Sequence, residues 1–158
     1  MEIKNSAGDL CACFGILVLE EEFMNQFIAG KVKNTQLTYG EIKNITNAKK
    51  SSRLYISGVV VRDSSTFKGS KRARVMVWAI LNYIKKLYGF RKKREVFALA
   101  VNKESSNMMK KMGFSLVKDG KHRADKCDLF KIDFDKGIFE KMAVRLGDYS
   151  KVCDLKLN

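Results

Sequence analysis

The apolar positions change period several times along the chain, and each change predicts an element. From Asp9 to Leu19 the residues are apolar, small or branched, as in a buried strand. Glu20 to Val32 then places Phe23, Met24, Phe27 and Ile28 at helical spacing, and Gly30 stands where such a helix stops. Tyr39 to Ala48, with Ile42 and Ile45, predicts a second short helix, broken by Lys49-Lys50-Ser51-Ser52. The branched run Leu54 to Val61 predicts a central strand, and Arg62 to Phe67 a polar turn. From Ser70 onward Val75, Met76, Ala79, Ile80, Tyr83, Ile84 and Leu87 keep the helical period. That helix is expected to end near Tyr88-Gly89-Phe90, with Lys85 and Lys86 at the negative end of its dipole.

Beyond the basic Arg91 to Arg94, which reads as an exposed loop, Val96 to Val101 predicts another strand. Asn102 to Met112 reads as a short helix closed by Gly113. Phe114 to Val117 and Asp128 to Phe134 read as strands joined by a polar, basic connector, Lys118 to Lys126, and helical character returns around Phe139 to Leu146. Strands alternating with helices argue for a layered α/β (α+β) domain with a mixed central sheet flanked by helices, rather than a bundle. No repeat, linker or low-complexity tract interrupts the 158 residues, so residues 1–158 read as one domain.

Composition narrows the setting. No apolar run approaches the roughly 18 residues of a membrane span; Leu10 to Leu19 is the longest and meets Glu20, Glu21 and Glu22 at once. Met1-Glu2-Ile3-Lys4 lacks the basic-then-apolar pattern of a secretory signal. Cys11, Cys13, Cys127 and Cys153 show no paired zinc-ligand spacing, and His122 is the only histidine, so no metal is expected and the thiols read as free. The expectation is a cytoplasmic protein. Net charge is +14, a field that attracts phosphorylated cofactors and nucleic acid alike.

The chemistry-bearing stretch is Phe67-Lys68-Gly69-Ser70-Lys71-Arg72-Ala73, a turn leading into a helix N-terminus. Unpaired N–H groups and the positive end of the dipole favour an anion there, and Lys68, Lys71, Arg72 and Arg74 add charge-assisted donors suited to a pyrophosphate. Here the chain resembles the GNAT acetyltransferase superfamily, over roughly residues 54 to 134. Lys68-Gly69-Ser70-Lys71-Arg72-Ala73 matches the family's Gln/Arg-x-x-Gly-x-Gly/Ala loop, which cradles the coenzyme A pyrophosphate, with Lys71 departing from the usual glycine. Asn102, Ser105, Met108, Met109, Met112, Gly113 and Phe114 follow a second family pattern, with the same eleven-residue step from Asn to Gly.

The resemblance implies a GNAT acyl-CoA-binding fold with shortened N-terminal elements. It implies acetyl-CoA as co-substrate and an amine acceptor. The pantetheine arm would lie where the strand Val59 to Val61 splays from Val96 to Val101, and an amide near Val60, Val61 or Arg62 would polarise the acetyl carbonyl. Asn102 and Ser105 would complete the cofactor site. The position of the family's tyrosine acid holds Met109, which cannot donate a proton. On the central strand only Tyr55 and Ser57 offer catalytic groups, and neither is a good base near neutral pH.

The same surface charge supports a second reading, a catalytically silent GNAT-fold module that binds nucleic acid or a protein. Within the enzyme reading it permits an acceptor amine carried on a polyanion such as tRNA. An unrelated nucleic-acid-binding domain is a third reading, but the chain carries no zinc-finger, RNP-like or helix-turn-helix pattern. An exposed sheet edge would favour a homodimer.

Overall fold

A computed structural model describes residues 2–4, 9–43, 51–61 and 67–146. The strands are β1 (Glu2–Lys4), β2 (Leu10–Leu17), β3 (Arg53–Val61), β4 (Arg94–Ala100), β5 (Ser115–Lys118) and β6 (Asp128–Phe134). The helices are α1 (Glu21–Ile28), α2 (Phe67–Tyr88), α3 (Lys103–Lys111) and α4 (Lys136–Leu146). The class is α+β, and the hydrogen-bonded strand order is β1-β2-β3-β4-β6-β5. The sheet is mixed: β3 and β4 are parallel, whereas β1–β2, β4–β6 and β5–β6 are antiparallel.

Two compact units share the chain, and neither is a continuous stretch of sequence. The first comprises Met1–Gly15, Gly58–Lys92 and Asp135–Asn158; the second comprises Ile16–Ser57 and Lys93–Phe134. The division falls inside β2 and inside β3.

In the first unit the long α2 buries Val75, Met76, Ala79, Ile80 and Ile84, the stripe expected from its spacing. Phe14 of β2 meets Tyr83 edge to face at 6.1 Å between ring centroids. Phe90 and Phe139 lie 5.4 Å apart, and the Lys85 ammonium sits 4.8 Å from the Phe139 centroid. Such a cation–π contact lets an end-of-helix lysine cover an aromatic pair while its charge stays near water.

In the second unit β4 is the best-paired strand, matched to β6 from Arg94↔Phe134 to Ala100↔Asp128. Its parallel pairing with β3 runs from Arg53↔Glu95 to Ile56↔Ala98. One face carries a core of Leu19, Met24, Phe27, Tyr55, Phe97 and Leu129, onto which α1 packs. Beside it an ion-pair ladder crosses the strands: Arg53 to Glu95 at 3.3 Å, Lys131 to Glu95 at 2.7 Å, and Lys93 to Asp133 at 2.9 Å.

Three sequence expectations change. The helix predicted over Tyr39–Ala48 is a single 3-10 turn, Tyr39–Glu41, after which Ile42 bridges Leu19 as in a sheet. Glu41 accepts hydrogen bonds from the Thr38 amide and hydroxyl, which favours a closed turn over a continuing helix. The rest of that prediction, residues 44–48, lies outside the described residues. The basic stretch Arg91–Arg94 is not all loop, because Arg94 opens β4, is buried, and donates from Nη1 to the Ser51 carbonyl. Finally, α2 begins at Phe67, so residues 67–73 are helix rather than turn.

Candidate functional site

The predicted site residues divide between the two units. Val60, Val61, Lys68, Gly69, Ser70, Lys71, Arg72, Ala73 and Arg74 belong to the first unit; Tyr55, Ser57, Asn102 and Ser105 belong to the second. Arg62 lies outside the described residues.

In the first unit the relevant backbone is the end of β3 and the start of α2. Leu54, Tyr55 and Ile56, on the second-unit part of β3, are buried, as expected where a strand is covered on both faces. Gly58 has φ +65°, a left-handed conformation costly to a residue with a Cβ, and a Cβ there would meet nothing within 4 Å. Beyond it Val59 and Val60 are exposed, Val60 to 59%. A glycine in this conformation interrupts the regular pleat, so the strand changes from buried to open within two residues.

The early start of α2 changes which amides the anion cradle expected from the sequence could use. The amides of Phe67, Lys68 and Gly69 fall in the first turn, before intrahelical pairing begins. From Lys71 onward each N–H has a helical carbonyl four residues back, so the amides of Lys71, Arg72 and Ala73 are not available for a cradle. The family motif predicts a cradle extending through Ala73; helical pairing limits it to the first turn, with Arg74 exposed on the helix.

The second unit gives its candidates other partners. Tyr55 is 3% exposed, and its hydroxyl donates to Asn34 Oδ1 at 2.9 Å. Burial, reinforced by the nearby Asp125 carboxylate, pushes its pKa well above the ordinary phenol value. Tyr55 therefore holds its proton more tightly than a free phenol. Ser57 is half-buried. Asn102 Oδ1 accepts the Ser105 amide at 2.8 Å, and Ser105 Oγ accepts the Asn102 amide at 3.1 Å. This reciprocal capping box accounts for both residues at the start of α3. Met109, at the family's tyrosine position, is buried, and Gly113 ends the segment with φ +85°.

Sequence reasoning missed a buried polar cluster in the second unit. Arg123, in the connector read as polar and basic, is 2% exposed. Its Nε and Nη2 donate to the Asp125 carboxylate at 3.0 and 2.7 Å, and its Nη1 donates to the Phe27 carbonyl at 2.7 Å. The guanidinium lies 4.8 Å from the Phe27 centroid, and Phe27 in turn meets Tyr55 at 4.9 Å. Burial alone would raise the Asp125 carboxyl, but hydrogen bonds from Arg123 and the Cys127 amide outweigh it and hold the pKa below the ordinary value. Burial pushes the Cys127 thiol up. The only local sequence signal was opposite charge two residues apart.

The connector also closes α1. Besides Arg123 on Phe27, Lys118 Nζ donates to the Ala29 carbonyl and the Ala124 amide to the Gly30 carbonyl. Helix C-termini leave carbonyls without intrahelical donors; here the Phe27 carbonyl accepts both the Gly30 amide at 3.0 Å and Arg123, and Lys118 supplies the donor to the Ala29 carbonyl. Gly30 itself has φ +73°.

A recess of about 250 Å³ in the second unit is lined by residues including Leu19, Met24, Lys43, Ser51 and Arg53; none of the sequence-predicted site residues lines it. No group of three or more His, Cys, Asp or Glu side chains suited to a metal occurs among the described residues. Among those residues no helix is long and apolar enough to cross a membrane. No family model, curated protein or solved structure matches the chain.

Proposed function

We propose that the chain is a GNAT-type N-acetyltransferase that carries an acetyl group from acetyl-CoA to an amine. One observation carries the reading: a strand interrupted by a left-handed Gly58 precedes a helix whose first turn holds Lys68-Gly69-Ser70. Capping of α3 by Asn102 and its ending at Gly113 agree with the second family pattern. The amides of Phe67, Lys68 and Gly69, which have no intrahelical acceptors, together with the positive end of a 22-residue helix, suit a pyrophosphate.

Acetyl-CoA supplies an activated thioester. The neutral acceptor amine adds to its carbonyl carbon; the C–N bond forms, the C–S bond breaks, and the amine proton is lost as the thiolate leaves. In this scheme a backbone amide near Val60 or Val61 stabilises the developing oxyanion. Tyr55 holds its proton and Met109 has none to give, so positioning of the two substrates provides most of the rate, with Ser57 the remaining hydroxyl on the strand.

Calorimetric titration with acetyl-CoA, followed by thermal shift with desacetyl-CoA, tests the proposal. Micromolar affinity that falls in Lys68→Ala is the expected result. No binding at millimolar ligand would refute it. Positive binding leads to a transfer assay with polyamines and lysine peptides as acceptors.

A further inference from the structure

The recess in the second unit gathers side chains of both charges from three segments of the chain. Glu21 and Met24 come from α1 and Leu19 from just before it; Lys43 follows the 3-10 turn, and Ser52 and Arg53 stand at the start of β3. Backbone pairing fixes these segments. The Lys43 amide donates to the Val18 carbonyl at 2.8 Å, Ile42 bridges Leu19, and the Glu95 amide donates to the Ser52 carbonyl at 2.8 Å. Leu19 and Met24 are buried and supply the apolar part of the lining. A preformed cavity with a few convergent polar groups is the usual form of a small-molecule site.

The charged groups of this lining are only partly committed. Arg53 donates from Nε to Glu95 at 3.3 Å and from Nη1 to Asn25 Oδ1 at 2.7 Å, which holds the guanidinium in place. A guanidinium carries five N–H donors, so the Nη2 pair is left to meet a carboxylate. The Lys43 ammonium approaches Glu20 only to 3.8 Å, too long for a hydrogen bond. Among the described residues no ion pair or hydrogen bond holds the Glu21 carboxylate. At about 250 Å³ the recess is too small for a nucleotide or coenzyme. A simple anion would suit Arg53 and Lys43 but would face Glu21, and a simple amine would suit Glu21 but would face the two cations. A molecule with a carboxylate, an ammonium and an apolar group uses every part of the lining.

We infer that this recess binds a free α-amino acid with an apolar side chain of about leucine's size. Its carboxylate meets Arg53 and Lys43, its ammonium meets Glu21, and its side chain lies against Leu19 and Met24. The inference does not depend on the acetyltransferase reading, because none of the residues assigned to that reaction lines the recess. Titration of the isotope-labelled full chain with L-leucine, followed by NMR, tests it. Saturable shifts centred on Glu21, Lys43, Ser52 and Arg53 are expected, with a Kd of about 0.1 mM, ordinary for so small a ligand. L-leucinamide lacks the carboxylate, and N-acetyl-L-leucine lacks the ammonium. Each is expected to bind about tenfold more weakly, as is L-alanine, which lacks the apolar branch.

Two variants assign the contacts. Glu21→Gln is expected to weaken L-leucine about tenfold and to leave N-acetyl-L-leucine unchanged, whereas Lys43→Gln weakens both. Both side chains reach solvent, so unchanged melting curves certify folding. The ligand series on the unaltered chain tests the inference without any variant. No saturable shift at about 10 mM L-leucine, or shifts centred away from the recess, would overturn it. Equal binding of L-leucine, its amide and its N-acetyl form would do the same, as would a Glu21→Gln effect of equal size on L-leucine and N-acetyl-L-leucine. Acetyl-CoA titration of the two variants, expected to be unchanged, separates failure of this inference from failure of the enzymatic one.

Discussion

Two glycine-containing basic stretches, Lys68–Arg74 and Lys118–Lys126, look alike in the sequence and fold into opposites. The first opens a long helix whose backbone runs regularly through Gly69. The second is an irregular connector that drives an arginine into the interior and packs Gly120 against backbone. Local composition does not separate them. Partners do, since Arg123 is internal because Phe27 and Asp125 offer it a ring, a carbonyl and a carboxylate.

Arg123→Ala is the strongest attack on this contrast. It strands the Asp125 carboxylate, 8% exposed, and removes a donor from the Phe27 carbonyl. Breaking such a buried pair costs about 3–5 kcal/mol, a fall in melting temperature of roughly 10 °C or more at this size. Chemical denaturation measures it directly, and a loss below about 1 kcal/mol would reduce the pair to a surface contact. The acid side gives a second readout. Because the folded-state pKa of Asp125 is depressed, its contribution is present above the unfolded carboxylate value of about 4 and is lost as pH falls through the folded value. Asp125→Asn should therefore flatten the stability loss in that acid window.

Gly120→Ala comes next. The added methyl would meet the Lys126 carbonyl oxygen at 2.6 Å, and because that obstacle is backbone, a cost of about 1–3 kcal/mol is expected. The smallest effect has the opposite sign. Gly69→Ala lies within α2, where alanine is the better helix former, and is expected to gain about 0.5–1 kcal/mol. The same exchange thus destabilises one stretch and stabilises the other. Paired melting curves that moved in the same direction would abolish the contrast.

What the sequence reveals follows from which interactions are local. Hydrophobic period alone places α1, β3, β4 and β6 to within a few residues, because each buries a continuous stripe or run. The three residues of β1 are too few to show an alternation. The true start of α2 is hinted at only by Ser64-Ser65-Thr66, residue types that favour N-caps. For the candidate site, the sequence carries the order of strand, glycine and basic helix start. It does not carry the fate of Tyr55, whose hydroxyl is bound by Asn34 from a separate turn, nor that of Asn102 and Ser105, which bond each other. The identity of a polar residue is local, whereas its partner is not.

The clamp on α1 also sets an order of events during synthesis. The donors that close its last turn come from far downstream, Lys118 being 89 residues beyond Ala29 and Arg123 96 residues beyond Phe27. A nascent chain emerges with α1 early, yet the Ala29 and Gly30 carbonyls wait in water until most of the second unit has left the ribosome. Contacts of such long sequence separation form late and slowly. Pulsed proteolysis of stalled chains should therefore find α1 vulnerable until residues 118–124 have emerged, and protected soon after.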